Sequence, residues 1–145
     1  MTIADILRNK GSKILSVTPG MALTEVARFL VHHRIGAVLV REEAGEEAML
    51  GILSERDIVR ALAEDEGSVK GLVASDVMTR VLHTVMPQMP VTHALAMVTD
   101  RRVRHLPVLD GGKLCGIVSI GDLVKARIDE AVTEAAALRD YVAAG

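Results

Sequence analysis

Aromatic residues are nearly missing from this chain: no tryptophan, one phenylalanine (Phe29) and one tyrosine (Tyr141) in 145 residues. With a formal charge of −2 and no basic block, there is little to stack bases on or to neutralise phosphates in a row. Nucleic acid is therefore excluded as a partner. A single cysteine, Cys115, forms no internal disulfide, so the expected compartment is the reducing cytoplasm. Long hydrophobic runs are missing too. The longest, Ile35–Val40, is broken by Gly36 and falls far short of the roughly 20 apolar residues that cross a bilayer, so no membrane partner is expected. At the N-terminus Ile3, Ile6 and Leu7 fall at i, i+3 and i+4, the pattern of an amphipathic helix and not of a signal peptide.

Catalytic groupings are equally scarce. His32, His33, His83, His93 and His105 stand at no zinc-like spacing with Cys115 or a carboxylate, so no metal is expected. Cys115 sits on a predicted strand beside Gly116 and reads as a buried small hydrophobe. No Walker-type loop and no nucleophile–base pair is present, which leaves no catalytic residue and no catalytic cofactor.

Half of the chain is apolar, so its core must be aliphatic. The chain also contains itself twice. Leu23, Val26, Ala27 and Leu30 form a helical stripe, and 68 residues later Val91, Ala94, Leu95 and Val98 repeat it. Pro19 and Pro87 precede the two helices, where proline suits a helix start. Strand-like runs follow, Ala37–Val40 and His105–Val108. Each leads through a turn (Glu43 to Glu47, then Asp110-Gly111-Gly112) into a second strand, Met49–Leu53 and Leu114–Val118. Beyond it, Gly51 to Ala61 lies over Gly116 to Ala126, with six of eleven positions identical. Two copies are too few for a solenoid. The resulting division is an N-terminal helix (1–12), a first repeat (13–65), a linker with a short helix around Ala74–Met78 (66–80), a second repeat (81–128) and an extension of a long last helix (129–145). On that helix Val124, Ile128, Val132, Ala135 and Leu138 keep an apolar face, a place for core packing or for a dimer contact. The run Glu42, Glu43, Glu46 and Glu47 reads as a solvated hairpin.

The duplicated motif is Gly-apolar-apolar-Ser-x-x-Asp. Ser54 and Ser119 are suited to cap the helices that follow, and Asp57 and Asp122 complete capping boxes. That reading accounts for all four residues without a ligand. The same geometry also fits a nucleotide. A helix N-terminus and a serine hydroxyl receive phosphate, and an aspartate one turn in accepts two hydrogen bonds from a ribose diol.

Together with Arg102-Val103-Arg104-His105-Leu106-Pro107-Val108, the doubled motif resembles a pair of CBS domains, the tandem Bateman module, over roughly Lys13 to Arg127. The resemblance implies an α+β fold, two β-α-β-β-α repeats packed sheet to sheet about a pseudo-two-fold axis, with two composite clefts. One cleft would combine Ser54, Arg56 and Asp57 with Leu82, His83 and Thr84 and with Arg104, His105, Leu106 and Pro107. The other would combine Ser119 and Asp122 with Ser16, Val17, Gly36, Ala37 and Val38, and with Lys13 as its nearby cation. The implied ligands contain adenine: AMP, ADP, ATP, NAD or S-adenosylmethionine. Arg56, Arg104 and His105 rank the first cleft higher for phosphate. The function expected is a regulatory module, a homodimer that signals to another, unidentified protein. The alternative is a ligand-free protein–protein assembly module, and an enzyme ranks last.

Overall fold

The computed structural model describes residues 1–11, 14–42, 49–64, 69–80 and 83–144. Lys13, the turn at Glu43 to Glu47, the linker residues 66–68 and Leu82 lie outside the described residues. The elements are α1 (Ile3–Lys10), β1 (Ser16–Val17), α2 (Leu23–His33), β2 (Ala37–Arg41), β3 (Met49–Ser54), α3 (Glu55–Glu64), α4 (Ala74–Val77), β4 (Thr79–Arg80), α5 (Val91–Arg101), β5 (His105–Asp110), β6 (Lys113–Ser119) and α6 (Ile120–Ala144). They form two units. The first is Leu15–Leu82, and the second joins Met1–Ile14 to His83–Gly145.

The first unit is a four-stranded sheet in the order β1-β2-β3-β4, with β1 parallel to β2 and the other pairs antiparallel. Val38, Val40 and Leu53 alternate onto one face and meet Val26 and Leu30 of α2 and Ala74 of α4. The core is aliphatic, as the composition requires. The stretch expected as a linker supplies this unit with α4 and with its edge strand β4, which pairs with β3 at Gly51 and Ile52.

The second unit repeats the plan around the hairpin β5–β6. Its loop is Gly111-Gly112, with φ of 58° and 84°, backbone that glycine adopts without strain and that suits the twist of a two-residue hairpin. A parallel bridge from Val85 to Val108 takes the place of β1. Pro107 tolerates its position because its nitrogen lies on this sparsely paired side of β5, where only Val85 approaches. Leu106, Val108 and Val118 pack with Val91, Ala94 and Val98 of α5 and Leu123 of α6.

Fine structure is duplicated as well. Both hairpins shift register at equivalent points, Val40/Arg41 and Val108/Leu109. Helices α2 and α5 each end on an arginine in the left-handed region, Arg34 and Arg102, both at φ 55°. The match extends to a pair of helices whose likeness is hidden in the sequence. Ala74 and Ser75 of α4 donate their N–H groups to the carbonyls of Met21 and Pro19; Ile3 and Ala4 of α1 donate to Met89 and Pro87. Thus α1 does for the second unit what α4 does for the first.

Candidate functional site at the two strand-to-helix junctions

In the first unit β3 ends at Ser54 and α3 begins at once. The Glu55 N–H donates to the Gly36 carbonyl at 2.9 Å, which seats the helix start beside the first residues of β2. Ala37 stands opposite Ser54 in the sheet, so Gly36, Ala37 and Val38 flank the junction. Asp57 is 5 % exposed, the only charged side chain buried among the described residues. Its Oδ2 accepts from the Ser54 N–H (2.9 Å) and hydroxyl (3.1 Å), and its own N–H donates to Ser54 Oγ (3.3 Å). Its Oδ1 accepts from the Thr79 hydroxyl at 3.1 Å and from Arg60 at 3.4 Å. Both oxygens are thus engaged by the chain itself. Arg56 is exposed on the first turn of α3. On β1, Val17 is buried and Ser16 accepts a hydrogen bond from Arg41 at 2.9 Å. A cavity of about 390 Å³ opens beside Asp57, lined also by Arg60, Glu64 and Asp76. Three carboxylates to one guanidinium make it a poor seat for phosphate.

The second unit builds the same junction with a different outcome. The Ile120 N–H donates to the Arg104 carbonyl at 2.9 Å, and His105 pairs with Ser119 across the hairpin. Leu106 and Pro107 are buried, the Arg104 side chain is exposed, and His83 and Thr84 precede the Val85 bridge. Asp122 Oδ2 accepts from the Ser119 N–H at 2.9 Å, and the Asp122 N–H donates to Ser119 Oγ at 3.1 Å. Lys10, from α1, adds an ion pair to Oδ2 at 2.7 Å and a hydrogen bond to the Ile117 carbonyl at 3.0 Å. Among the described residues nothing donates to Asp122 Oδ1, and it is not sealed from solvent. Burial pushes the Asp122 carboxyl up, but the hydrogen bonds from Lys10 and Ser119 and the lysine's charge outweigh it and hold the group below the usual carboxylate range.

The family profile of the CBS domain matches residues 2–64 and 73–129. This chain belongs to the CBS-domain family. It is 33% identical to the mitochondrial CBS domain-containing protein CBSX3 of Arabidopsis thaliana over 150 residues, spanning 99% of this chain and 73% of that one. A crystal structure of a CBS-domain containing protein from Agrobacterium tumefaciens superposes with a TM-score of 0.81 at 35% identity, covering 88% of this chain and 99% of that one. A CBS domain pair solved with 5′-methylthioadenosine and S-adenosyl-L-methionine shares the fold at 24% identity and a TM-score of 0.73, covering 87% and 98% of the two chains. No helix among the described residues is long and apolar enough to cross a membrane.

Each CBS repeat therefore gathers its own strand start and its own serine–aspartate cap within one unit. Sequence reasoning missed two partners of these caps. Thr79 belongs to the stretch expected as a linker, and the cation beside Asp122 among the described residues is Lys10, three positions before Lys13 in the sequence. The capping reading of the motif is also reinforced: Asp5 and Asp76 accept the N–H of Thr2 and Val73 in the same way, at 2.8 and 2.9 Å.

Asp122→Asn should lower stability at pH 7 by up to about 1 kcal/mol, the scale of an accessible ion pair. A carboxyl held low in the folded state stabilises above its unfolded pKa of about 3.9 and loses that contribution as pH falls through its folded value. The gap between wild type and Asp122→Asn should therefore narrow progressively as the pH falls below about 4. Urea titrations at a series of pH values measure it, and a gap of constant size would exclude the ion pair as its source.

Proposed function

We propose that this CBS pair is a non-catalytic regulatory module that binds an adenine nucleotide, of the AMP, ADP, ATP or NAD type or S-adenosylmethionine, and signals to another protein. The supporting observation is the Asp122 carboxylate: one oxygen completes the helix cap, and the other has no donor among the described residues. A ribose hydroxyl supplies such a donor. The Ser119 hydroxyl, the N-terminal end of α6 and the exposed Arg104 in the same unit offer positive charge and donors to phosphate. The related pair at 24% identity, solved with adenosyl ligands, supports this reading. Asp57, whose two oxygens already accept from Ser54, Thr79 and Arg60, would have to exchange a partner to do the same. The ranking that favoured the Arg56 cleft is therefore reversed in this proposal. The protein acts as a homodimer in the cytoplasm, where the free Cys115 thiol persists.

Calorimetry with AMP, ATP, NAD and S-adenosylmethionine on nucleotide-free protein tests the reading, with melting shifts as a parallel measure. Binding of one ligand, weakened at least tenfold by Asp122→Asn and less by Asp57→Asn, is the expected result. A different outcome has its own structural support, because the same aspartate caps occur at α1 and α4, outside any expected ligand cleft. No heat and no melting shift with any of the four would leave the caps as purely structural and the protein as a ligand-free assembly module.

A further inference from the structure

Helix α1 is tied to the rest of its unit at both ends. At its start Ile3 and Ala4 donate to the carbonyls of Met89 and Pro87, and Ile3 and Ile6 are buried in the core of the second unit. At its end Lys10 donates to the Ile117 carbonyl at 3.0 Å and to Asp122 Oδ2 at 2.7 Å. One ammonium group thus joins three elements: the last turn of α1, the strand β6 and the first turn of α6.

The first unit shows what that ammonium replaces. Ile52 and Asp57 stand 65 positions before Ile117 and Asp122. There β4 fills the place: Thr79 pairs with Ile52 in the sheet, and its hydroxyl donates to Asp57. The two partners differ in the oxygen they take. Thr79 takes Oδ1, which the Ser54 cap leaves over, and so completes the carboxylate. Lys10 takes Oδ2, which already accepts from the Ser119 N–H. It therefore anchors the carboxylate through the oxygen that the cap has used, and among the described residues Oδ1 keeps its place for a donor from outside. Lys10 also favours the ionised carboxyl against the effect of burial, and an ionised carboxylate accepts the stronger hydrogen bonds. The side chains of Lys10 and Asp122 are 39% and 25% exposed, so the pair stands open to a ligand.

We propose that Lys10 is a positioning residue for ligand at Asp122 and couples α1 to that site: ligand binds most tightly while the end of α1 is docked, and bound ligand holds α1 in place. The proposal rests on the nucleotide reading above and adds the element that responds. Its second half follows from its first by reciprocity, because the factor by which docking of α1 raises ligand affinity is the factor by which ligand favours docking.

Calorimetry with AMP, ATP, NAD and S-adenosylmethionine on wild type, Lys10→Met and Lys10→Arg is the first half of the test. Methionine keeps the length of the side chain and a good helix former, so Lys10→Met should retain wild-type circular dichroism. Its affinity should fall about fivefold, the scale on which an accessible ion pair couples two groups. Lys10→Arg, which keeps the charge, should stay within about twofold of wild type. Amide hydrogen exchange is the second half: saturating ligand should slow exchange at residues 7–11 of the wild type by a factor like that lost in affinity, and should not slow it in Lys10→Met. Equal affinity in wild type and Lys10→Met would overturn the positioning role and leave the nucleotide reading standing. Tighter binding by Lys10→Met would overturn it too, by showing that lysine competes with ligand for the carboxylate. Exchange at residues 7–11 that ignores ligand in the wild type would overturn the coupling to α1. A wild type that binds none of the four would end this proposal together with the reading it rests on.

Discussion

Leu53→Ala and Leu106→Ala are each expected to reduce unfolding free energy by about 2–5 kcal/mol. Both side chains are fully buried, one in the core of each unit. Their neighbours are mostly Val, Leu, Ile and Ala, and the one phenylalanine is only partly buried beside the first core. Branched side chains anchored on strands and helices have little rotameric freedom to move into a void, so the cavity left by truncation stays open. The loss is therefore the transfer free energy of the removed groups plus a cavity cost. Against the 5–15 kcal/mol that holds a small domain together, this is a large fraction. Val31→Ala is the control: on α2, 79% exposed, it should change stability by no more than about 0.5 kcal/mol. Urea denaturation of the three variants gives the comparison, and a loss below about 1 kcal/mol in either leucine variant would mean that its core relaxes around the hole.

The repeats themselves were legible because a β-hairpin with one buried face leaves a strict residue pattern. Ala37–Val40 and Met49–Leu53 lie within β2 and β3, and the Asp110-Gly111-Gly112 turn sits where positive φ demands it. The correspondence of α1 with α4 was hidden for a physical reason. Each docks through backbone N–H groups on loop carbonyls, so the sequence need supply only a helix start with an aspartate at its third position. Thr2-Ile3-Ala4-Asp5 and Val73-Ala74-Ser75-Asp76 share only that aspartate.

The difference between the two caps was hidden for another reason. Ser54/Asp57 and Ser119/Asp122 are alike as local motifs, and what separates them arrives from elsewhere: Thr79 on β4, Lys10 on α1. Local spacing also cannot say which apolar face of α6 turns inward. Leu123 and Ala126 face the core, while Val124 and Ile128, which looked equally suited, are exposed.

Gly51→Ala is the second large effect expected, a loss of about 1–3 kcal/mol from overpacking. Gly51 lies in β3 between Val40 and Arg80, where β4 closes on the sheet. A methyl group there would stand 2.6 Å from the Thr79 carbonyl oxygen and 2.9 Å from Met78 Sδ. The sulfur can swing away, but the carbonyl belongs to the paired backbone, so β4 itself must retreat. Thr79 would retreat with it and weaken its hydrogen bond to the buried Asp57. Gly116, the same position in the second repeat, supplies the contrast: its methyl group would meet only Leu7 Cδ2, at 3.0 Å. That atom ends a flexible side chain, and alanine also restricts the unfolded chain, so Gly116→Ala should fall within about 1 kcal/mol of wild type. Denaturation curves of the two variants decide the point. Equal losses would show that the cost lies in the strand backbone common to both repeats; a loss confined to Gly51→Ala would place it in the approach of β4 and in the cap that β4 supports.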